Sequence, residues 1–290
     1  MQKVLVLGGT GMLGQMVYRI LSQSEGLTVK CTSRSQLSDP LHFNIEDGTA
    51  RLQQILERYG PFDYIVNCVG VVKAHIDEQN SESVRRAIVV NALFPHQLAT
   101  VATESKARVI HPSTDGVFSG DSDEPYLEDS QHDCVDIYGK TKSLGEVRKS
   151  DFLNIRCSIV GPDPIEKKGL LEWFMAQPDG QEVIGYTDHI WNGVTTLQFA
   201  GLCKRIIVQD RFGEIWNESP VHHFCPNQAV SKYELLEIFK SVFGKRVTII
   251  PSRSTGSPVR RILATRYHSL KDLFGYVSSM ERAVREILDS

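Results

Sequence analysis

Short apolar runs alternate with segments of helical periodicity through the first 160 residues of the chain. The runs have the length and composition of buried strands and cover residues 4–7, 27–32, 62–69, 108–111 and 152–157. Between them, helical patterns predict helices over residues 12–21, 52–59 and 84–105, and residues 138–149 have the composition of a helix. Because parallel strands need long crossovers, this order predicts an α/β fold, with a doubly wound parallel sheet and helices on both faces.

The alternation becomes irregular after the glycine and prolines of residues 161–164. Aromatic residues and glycine breaks are frequent there. The clearest later element is a helix over residues 231–243, where Ser231 and Glu234 form a capping-box pattern. We therefore predict two domains: residues 1–160 form the sheet domain, and residues 161–290 mainly form a smaller α/β lobe that binds substrate.

Composition narrows the class of partner. The chain has 290 residues, of which 41% are apolar and 23% charged, and its formal net charge is -3. These values are ordinary for a globular protein, and the basic residues are scattered along the sequence. We therefore expect neither nucleic acid nor an anionic membrane as a partner, which leaves a small molecule or another protein.

The sequence predicts neither a targeting segment nor a metal site. The apolar run before Gly8 is too short for a signal peptide, and no run reaches membrane-spanning length, so we expect a cytoplasmic protein. The six cysteines have no CxxC pairing, which favours free thiols in a reducing compartment. His222, His223 and Cys225 lie close in sequence but lack a second compact pair of ligands.

Glycines recur between the first predicted strand and the first predicted helix, in the sequence GGTGMLG. They permit a tight turn, let a pyrophosphate approach the backbone and leave N–H groups of the helix N-terminus facing its oxygens. After a strand and before a helix, this pattern indicates a Rossmann-type dinucleotide site; a tight turn without ligand is the alternative. The predicted cofactor contacts in this loop are Gly8, Thr10, Gly11, Met12, Leu13 and Gly14.

The end of the second predicted strand bears on which dinucleotide is bound. NAD sites usually place an acidic residue there to hold the ribose hydroxyls, whereas this chain has Thr32, Ser33 and Arg34. An arginine suits a 2′-phosphate. We therefore expect NADPH, contacted by Ser33 and Arg34, with NADH and a purely superficial Arg34 as the alternatives.

Hydroxyl groups follow the fourth apolar run, and a tyrosine and a lysine come after them. Tyr138 and Lys142 are four residues apart, so on a helix they share a face and the ammonium favours the ionised phenol. Thr114 would complete the site by hydrogen-bonding the same substrate oxygen. Most Tyr/Lys pairs on helices are solvated, but this one follows a dinucleotide loop and a strand that ends in hydroxyls.

The motifs GGTGMLG, STDGVFSG and YGKTK, with Gly145 and Glu146 after the last, resemble those of the extended short-chain dehydrogenase/reductases. Within them, the resemblance is to the dTDP-4-dehydrorhamnose reductase type, and it extends to about residue 165. It implies that Thr114 polarises a ketone, that Tyr138 donates a proton to its oxygen, and that Lys142 lowers the pKa of the phenol and holds the nicotinamide ribose. It also implies that some late strands return to the main sheet.

The remaining predicted contacts are assigned more loosely. By resemblance, further cofactor contacts fall on Asn44, Ile45, Val69, Gly70 and Asn91, each with an ordinary strand-end or helix role as its alternative. Substrate contacts are expected at Ser113 and Asp115, beside the threonine, and at Trp191 and Asn192, where a capped helix start with a buried tryptophan is the alternative. The reductases usually read STDYVF, and Gly116 in place of that tyrosine would widen the substrate pocket.

These features predict an NAD(P)H-dependent reductase of the ketone of a nucleotide-linked 4-keto-6-deoxy sugar, in deoxysugar or surface polysaccharide biosynthesis. An epimerase or dehydratase with tightly bound NAD is the alternative enzyme, because the same three side chains serve those reactions. A non-catalytic, cofactor-binding regulatory subunit is the alternative from another class. Assembly as a homodimer is left open.

Overall fold

A computed structural model describes residues 1–34, 41–276 and 278–289 of the chain. The strands in these ranges are β1 Gln2–Leu7, β2 Leu27–Ser33, β3 Leu41–His42, β4 Tyr64–Asn67, β5 Arg108–Ser113, β6 Phe152–Arg156, β7 Ile159–Val160, β8 Glu182–Tyr186, β9 His189–Trp191, β10 Val194–Thr195, β11 Val221–His223, β12 Val230–Ser231, β13 Thr248–Ser252 and β14 Val259–Arg261. The α-helices are α1 Met12–Ser22, α2 Thr49–Tyr59, α3 Ser81–Ala87, α4 Phe94–Ser105, α5 Ile137–Leu144, α6 Leu170–Met175, α7 Thr196–Val208, α8 Phe212–Glu218, α9 Lys232–Phe243, α10 Ser269–Phe274 and α11 Met280–Leu288.

Seven parallel strands form the central sheet, in the spatial order β3-β2-β1-β4-β5-β6-β11. The strand order reverses direction at β1 and β4. At such a point of a doubly wound sheet, the carboxyl ends of the strands open a crevice that binds ligands. The predicted α/β class with a Rossmann-type parallel sheet is confirmed.

Helices cover both faces of this sheet, and the alternation of side chains along β1 shows why. Val4 and Val6 face a core that includes residues of α1 and α7, whereas Leu5 and Leu7 face a second core with α2 and α4. All four side chains are completely buried. Successive strand residues point to opposite faces, so an uninterrupted apolar run such as that of β1 is what a sheet covered on both sides requires.

The chain after residue 158 contributes three smaller sheets, which pair β10 with β7, β13 with β8, and order β12-β9-β14. A third core lies between these strands and α6, α9 and α11. Helix α9 begins as the sequence predicts, because the Ser231 hydroxyl accepts the Glu234 N–H and the Glu234 side chain returns to the Ser231 N–H. From the same half of the chain, β11 joins the central sheet beside β6.

Two predicted helices differ from those observed. The long helix over residues 84–105 contains a π-helical turn, Ile88–Leu93, between α3 and α4. The helix predicted to reach residue 149 ends as α5 at Leu144. A Cβ on Gly145 would lie 1.9 Å from the Asn91 carbonyl oxygen in that π-helical turn, so only glycine lets the two segments pass this closely. Gly145 is also the C-cap of α5, and the prediction was too long because it followed composition past this glycine.

The structure shows the burial of the cysteines and the length and apolar character of the helices. The structure pairs none of the six cysteines in a disulfide, and Cys31, Cys157, Cys203 and Cys225 are buried. Across residues 1–34, 41–276 and 278–289, no helix has the length and apolar character needed to span a bilayer.

Candidate active site

The glycine loop lies at the carboxyl end of β1, at the reversal point of the sheet. Gly8 has a φ of +75°, which favours glycine, and its N–H donates to the Thr32 hydroxyl over 3.1 Å. A Cβ on Gly14 would stand 2.1 Å from the Gly8 carbonyl oxygen, so glycine at position 14 is required for helix α1 to begin this close to the turn. Gly11 caps α1 without a side-chain hydrogen bond, and no acidic residue occupies the first turn.

This loop fits the pyrophosphate of a dinucleotide. The N–H groups of the first helical turn have no intrahelical acceptor, and the helix dipole favours negative charge beside them. Met12 is half-buried at the start of α1, whereas Leu13 is buried in the core and can offer only its backbone. Thr10 and Ser33, both predicted contacts, are joined by a hydroxyl–hydroxyl hydrogen bond of 3.2 Å across the ends of β1 and β2.

Arg34 follows β2 directly and is paired across the crevice. Its guanidinium donates to the Glu166 carboxylate over 3.0 Å, and more than half of the arginine side chain is exposed. His75 and Lys168 lie 3.9 Å from the same carboxylate. The predicted 2′-phosphate contact therefore has a protein counter-charge beside it.

Three of the more loosely assigned cofactor positions, Asn44, Ile45 and Val69, make contacts within the protein. The Asn44 side chain accepts the Glu46 N–H over 3.4 Å, and Ile45 is buried against the core of α2 and α4. Val69 packs against the glycine loop, since a Cβ on Gly8 would meet its Cγ2 at 3.0 Å.

Asn91 is buried and binds the backbone of the loop after β4. Its side chain accepts the Val71 N–H and donates to the Val71 carbonyl, both over 2.8 Å, and its amide reaches the Thr141 hydroxyl of α5 at 3.4 Å. Gly70 precedes Val71, and a Cβ at position 70 would lie 3.6 Å from the Asn91 amide oxygen. The structure thus assigns Asn91 to loop support, and contact of these positions with cofactor stays a prediction.

Helix α5 brings the tyrosine and the lysine together. Its N-cap, Asp136, accepts the Gly139 N–H over 2.7 Å and pairs with Lys73 over 2.7 Å. Tyr138 and Lys142 follow one turn apart, beside the end of β5 that carries Thr114. Two elements far apart in sequence therefore deliver the three predicted catalytic side chains to one place.

Thr114 and Tyr138 meet over Gly116. The Thr114 hydroxyl accepts the Gly116 N–H over 3.0 Å and lies within hydrogen-bonding reach of the Tyr138 phenol. A Cβ at position 116 would stand 3.1 Å from the ring carbon Cε1 of Tyr138 and 3.3 Å from the Thr114 hydroxyl oxygen. In this backbone arrangement, any side chain at position 116 would crowd the phenol.

The electrostatics of Tyr138 differ from the sequence-based expectation. Burial raises the pKa of its phenol to about 12, the hydrogen bond with Thr114 acts in the opposite direction, and the Asp115 carboxylate raises the pKa further. Lys142 instead donates to the Pro112 carbonyl over 2.8 Å. The expected lowering of the Tyr138 pKa by Lys142 is thus not a property of the protein alone, because burial of the phenol raises its pKa.

The Lys142 side chain is itself buried. Burial lowers the pKa of its ammonium to about 8, and the negative charge of Glu146, one turn along, partly offsets this. The neighbouring Asp115 carboxyl is also buried, which raises its pKa, while the positive charge of Arg261 acts to lower it.

Ser113 is engaged away from the crevice. Its hydroxyl donates to the Glu146 carboxylate over 2.6 Å, and that carboxylate also accepts two hydrogen bonds, of 2.7 and 2.8 Å, from Arg156. Glu146 and Arg156 are 3% and 0% exposed, respectively. Neither residue is predicted from the sequence as part of the site, although a lone arginine in the apolar strand β6 signals a buried charge that needs a partner. The predicted substrate contact at Ser113 is not favoured by this arrangement.

Trp191 and Asn192 are likewise built into the fold. Trp191 is buried in the third core, and its ring covers Gly193, where a Cβ would overlap it. The Asn192 amide donates to the Leu263 carbonyl over 2.7 Å, and its oxygen accepts the Leu263 N–H over 2.9 Å. Substrate contact by these two residues stays a prediction that their placement does not favour.

Comparison with known proteins identifies the family. A family model described as the RmlD substrate binding domain matches residues 1–262. The dTDP-4-keto-6-deoxy-D-glucose reductase of Streptomyces niveus is 30% identical over 269 residues, which are 88% of this chain and 85% of that protein. The spore coat polysaccharide biosynthesis protein SpsK of Bacillus subtilis is 32% identical over 146 residues, and this match spans about half of each protein, 50% and 47%.

Solved structures agree on the fold. The dTDP-4-dehydrorhamnose reductase of Bacillus anthracis, solved in complex with NADP, superposes with a TM-score of 0.78 over 99% of both chains at 19% identity. At that identity, the superposition establishes the architecture alone. The family match over most of the chain and the long streptomycete relative together show that this protein belongs to the RmlD substrate-binding domain family.

Proposed function

We propose that this protein uses NADPH to reduce the ketone of a nucleotide-linked 4-keto-6-deoxy sugar in deoxysugar or surface polysaccharide biosynthesis. The proposal is supported by the meeting of Thr114 and Tyr138 over Gly116, by Lys142 one turn later on α5, and by a glycine loop after β1 that fits a pyrophosphate. The names of the relatives, which include a dTDP-4-keto-6-deoxy-D-glucose reductase and a spore coat polysaccharide protein, support the substrate class.

The three side chains divide the work of a ketone reduction. The Tyr138 phenol is protonated at neutral pH, so it has a proton to give to the ketone oxygen, although its pKa of about 12 makes it a weaker acid than a free phenol. Thr114 holds the position of that oxygen through its hydroxyl. When bound, NADPH supplies the hydride. Lys142 keeps a positive charge beside the site at neutral pH, where it favours the developing oxyanion.

Preference for NADPH over NADH rests on Arg34 at the end of β2. An arginine fork matches a 2′-phosphate, and no carboxylate of β2 itself stands in the place of a ribose ligand. NADH remains the second candidate, because the Glu166 carboxylate already neutralises this guanidinium.

The assay is oxidation of NADPH in the presence of a panel of 4-keto-6-deoxy nucleotide sugars. Turnover with at least one of them is expected, and turnover with none would refute the proposal. Bound NAD that is regenerated in every cycle would instead indicate an epimerase or dehydratase. Co-purification with a larger enzyme and no reduction alone would indicate a regulatory subunit.

The sharpest variant is Tyr138→Phe. Removing the phenolic proton should lower kcat by about 10²- to 10⁴-fold, the usual contribution of a general acid. Binding of NADPH, followed by fluorescence titration, should persist because the glycine loop is untouched. The matched control is Tyr59→Phe, which removes a phenol at the last residue of α2. Near wild-type turnover by Tyr138→Phe would contradict the assigned role.

Two structural proposals accompany this function. Residues 1–160 would hold the dinucleotide, and residues 161–290 would mainly hold the substrate, with β11 completing the sheet.

A homodimer is proposed through the exposed apolar side chains of neighbouring helices, Ile88, Leu93 and Leu144, which are 47%, 48% and 66% exposed. Light scattering after size exclusion should show a dimer that Leu144→Glu converts to a monomer; a monomeric wild type would refute it.

A further inference from the structure

The sheet β12-β9-β14 carries two cations to the candidate active site. In this sheet β14 runs parallel to β9 and places Arg261 beside Trp191, while antiparallel β12 ends at Ser231, beside Ile190. Lys232 follows at once as the first residue of α9. One small sheet therefore fixes the positions of both Arg261 and Lys232.

Arg261 reaches the loop that follows the Thr114 turn. Its guanidinium donates from Nε to the Phe118 carbonyl over 2.9 Å and from Nη2 to the Ser119 carbonyl over 3.3 Å. Both acceptors are neutral, and no carboxylate among the described residues lies within ion-pair distance of this guanidinium. The contacts hold the arginine beside the catalytic turn without neutralising its charge.

Lys232 is half-buried and makes neither a hydrogen bond nor an ion pair with any residue that the structure describes. Burial lowers the pKa of its ammonium, and the positive charges of Arg261 and Lys73 lower it further. Asp115 is the carboxylate that acts in the opposite direction, and it lies beyond ion-pair distance. Lys73 differs from Lys232, because it is neutralised by Asp136.

An unpaired, partly desolvated ammonium beside a guanidinium is unfavourable for the protein by itself. The arrangement becomes favourable when a ligand supplies negative charge and several acceptor oxygens. A diphosphate does both, since lysine binds phosphate as a point charge and arginine binds it through its planar fork. A neutral sugar ring or a base would leave both charges uncompensated.

We propose that Lys232 and Arg261 bind the diphosphate of the nucleotide sugar. The inference rests on the proposed function for the identity of the ligand, and it adds which residues of the second half of the chain hold that ligand. Because Arg261 is tied to the loop after Thr114, the diphosphate would be anchored at a fixed position relative to that turn. Lys232 and Arg261 would thus help to set which part of the substrate reaches Tyr138.

The test is calorimetric binding of dTDP, UDP, GDP and CDP in saturating NADP⁺, which fills the cofactor site. Lys232→Met keeps the length of the side chain and removes its charge. For the nucleotide that wild-type protein binds best, affinity should fall by about ten- to a hundredfold, the value of a hydrogen bond to a charged group. The matched control, Lys240→Met on the same helix, removes a charge that faces Glu237, 3.9 Å away, and should leave affinity unchanged.

A second measurement separates phosphate binding from base binding. The corresponding nucleoside monophosphates lack the outer phosphate, so the preference for diphosphate over monophosphate should shrink in Lys232→Met. Thermal unfolding verifies that the variant is folded. For Arg261, the conservative Arg261→Lys keeps the charge and loses the fork, and an intermediate loss of affinity is expected.

The outcomes distinguish this inference from the function on which it rests. Equal diphosphate affinity in wild type and folded Lys232→Met would overturn the inference, and so would a wild type that binds none of the four diphosphates. Diphosphate binding through Lys232 without reduction of any ketosugar would uphold the inference and refute the reductase function. Reduction of a ketosugar with an unchanged KM in Lys232→Met would uphold the reductase function and refute the inference.

Discussion

Two groups of charges near the candidate active site differ in how they are compensated. Behind the site, Glu146 and Arg156 form a bidentate pair that is almost completely buried, and Ser113 supplies a further hydrogen bond to the carboxylate. In front of it, Lys232 has no partner among the described residues, and Arg261 is bonded only to carbonyl groups. The first group is saturated by the protein, whereas the second is not.

The comparison separates charges that serve the fold from charges that serve a ligand. The Arg156 guanidinium also donates to the Glu128 carbonyl over 2.9 Å and contacts His223 over 3.2 Å, so it connects β6 to β11 and to a loop before α5. A network with this many internal bonds has little capacity left for substrate. A half-buried cation without a partner retains that capacity, which is why we assign Lys232 to binding.

The largest expected effect is on stability, and it comes from the saturated group. Arg156→Met leaves the Glu146 carboxylate buried without its partner, which should lower the free energy of unfolding by about 3–5 kcal/mol. Lys232→Met removes an unpaired ammonium, so it should leave the free energy of unfolding unchanged or raise it slightly. Urea denaturation of both variants measures the difference.

A double variant tests whether the loss in Arg156→Met comes from the stranded carboxylate. Glu146→Leu combined with Arg156→Met removes both charges, and it should be more stable than Arg156→Met alone. If the two losses simply add, the pair is not coupled. If Lys232→Met destabilises the protein as much as Arg156→Met does, the distinction between the two groups is wrong.

The fold was predictable because its signals are local. The apolar run of β1, the glycines after it and the periodicity of α1 each lie within about twenty residues, and they fixed the strand, turn and helix correctly. The early end of α5 also has a local signal, its C-cap Gly145, which the predicted helix ran past. What no short window of sequence contains is the close approach of Gly145 to the Asn91 carbonyl.

Some residues of the candidate site could likewise be inferred from local spacing, whereas the surroundings of others depend on distant contacts. Tyr138 and Lys142 are one helical turn apart, so their shared position could be inferred from spacing. The surroundings of Asn192 depend on Leu263, 71 residues away, and an amide that looks available in sequence is consumed by backbone groups in the fold. Lys232 carries no local motif at all and is recognisable only by the absence of a partner in the described structure.

The charge of Glu146 in the buried pair acts on Lys142, and the titration of this lysine sharpens the comparison. Burial lowers its pKa to about 8, so the ammonium is charged below that pH and loses its proton above it. The Tyr138 phenol stays protonated throughout this range. The value of kcat/KM for ketone reduction should therefore fall as pH rises above about 8, approaching tenfold per pH unit, because the required charge is lost.

The pH profile is measured by NADPH oxidation between pH 6 and pH 10, a range that spans the Lys142 transition at about 8. Glu146 raises the Lys142 pKa through its negative charge, so Glu146→Gln should shift the decline toward lower pH. Lys140→Met, on the exposed side of the same helix, is the control and should leave the profile in place. A profile that is flat above pH 9 would mean that the charge of Lys142 is not needed.

The smallest expected effect distinguishes the two possible roles of Ser113. Its hydroxyl donates to Glu146 over 2.6 Å, and Glu146 keeps both Arg156 hydrogen bonds when that donor is removed. Ser113→Ala should therefore lower the free energy of unfolding by about 1.5–3 kcal/mol, the value of a hydrogen bond to a charged group, and leave KM for the sugar unchanged. Steady-state kinetics and urea denaturation on the same preparation measure both quantities. A raised KM with unchanged stability would instead return Ser113 to the substrate side of the site, and the saturated group would then no longer be purely structural.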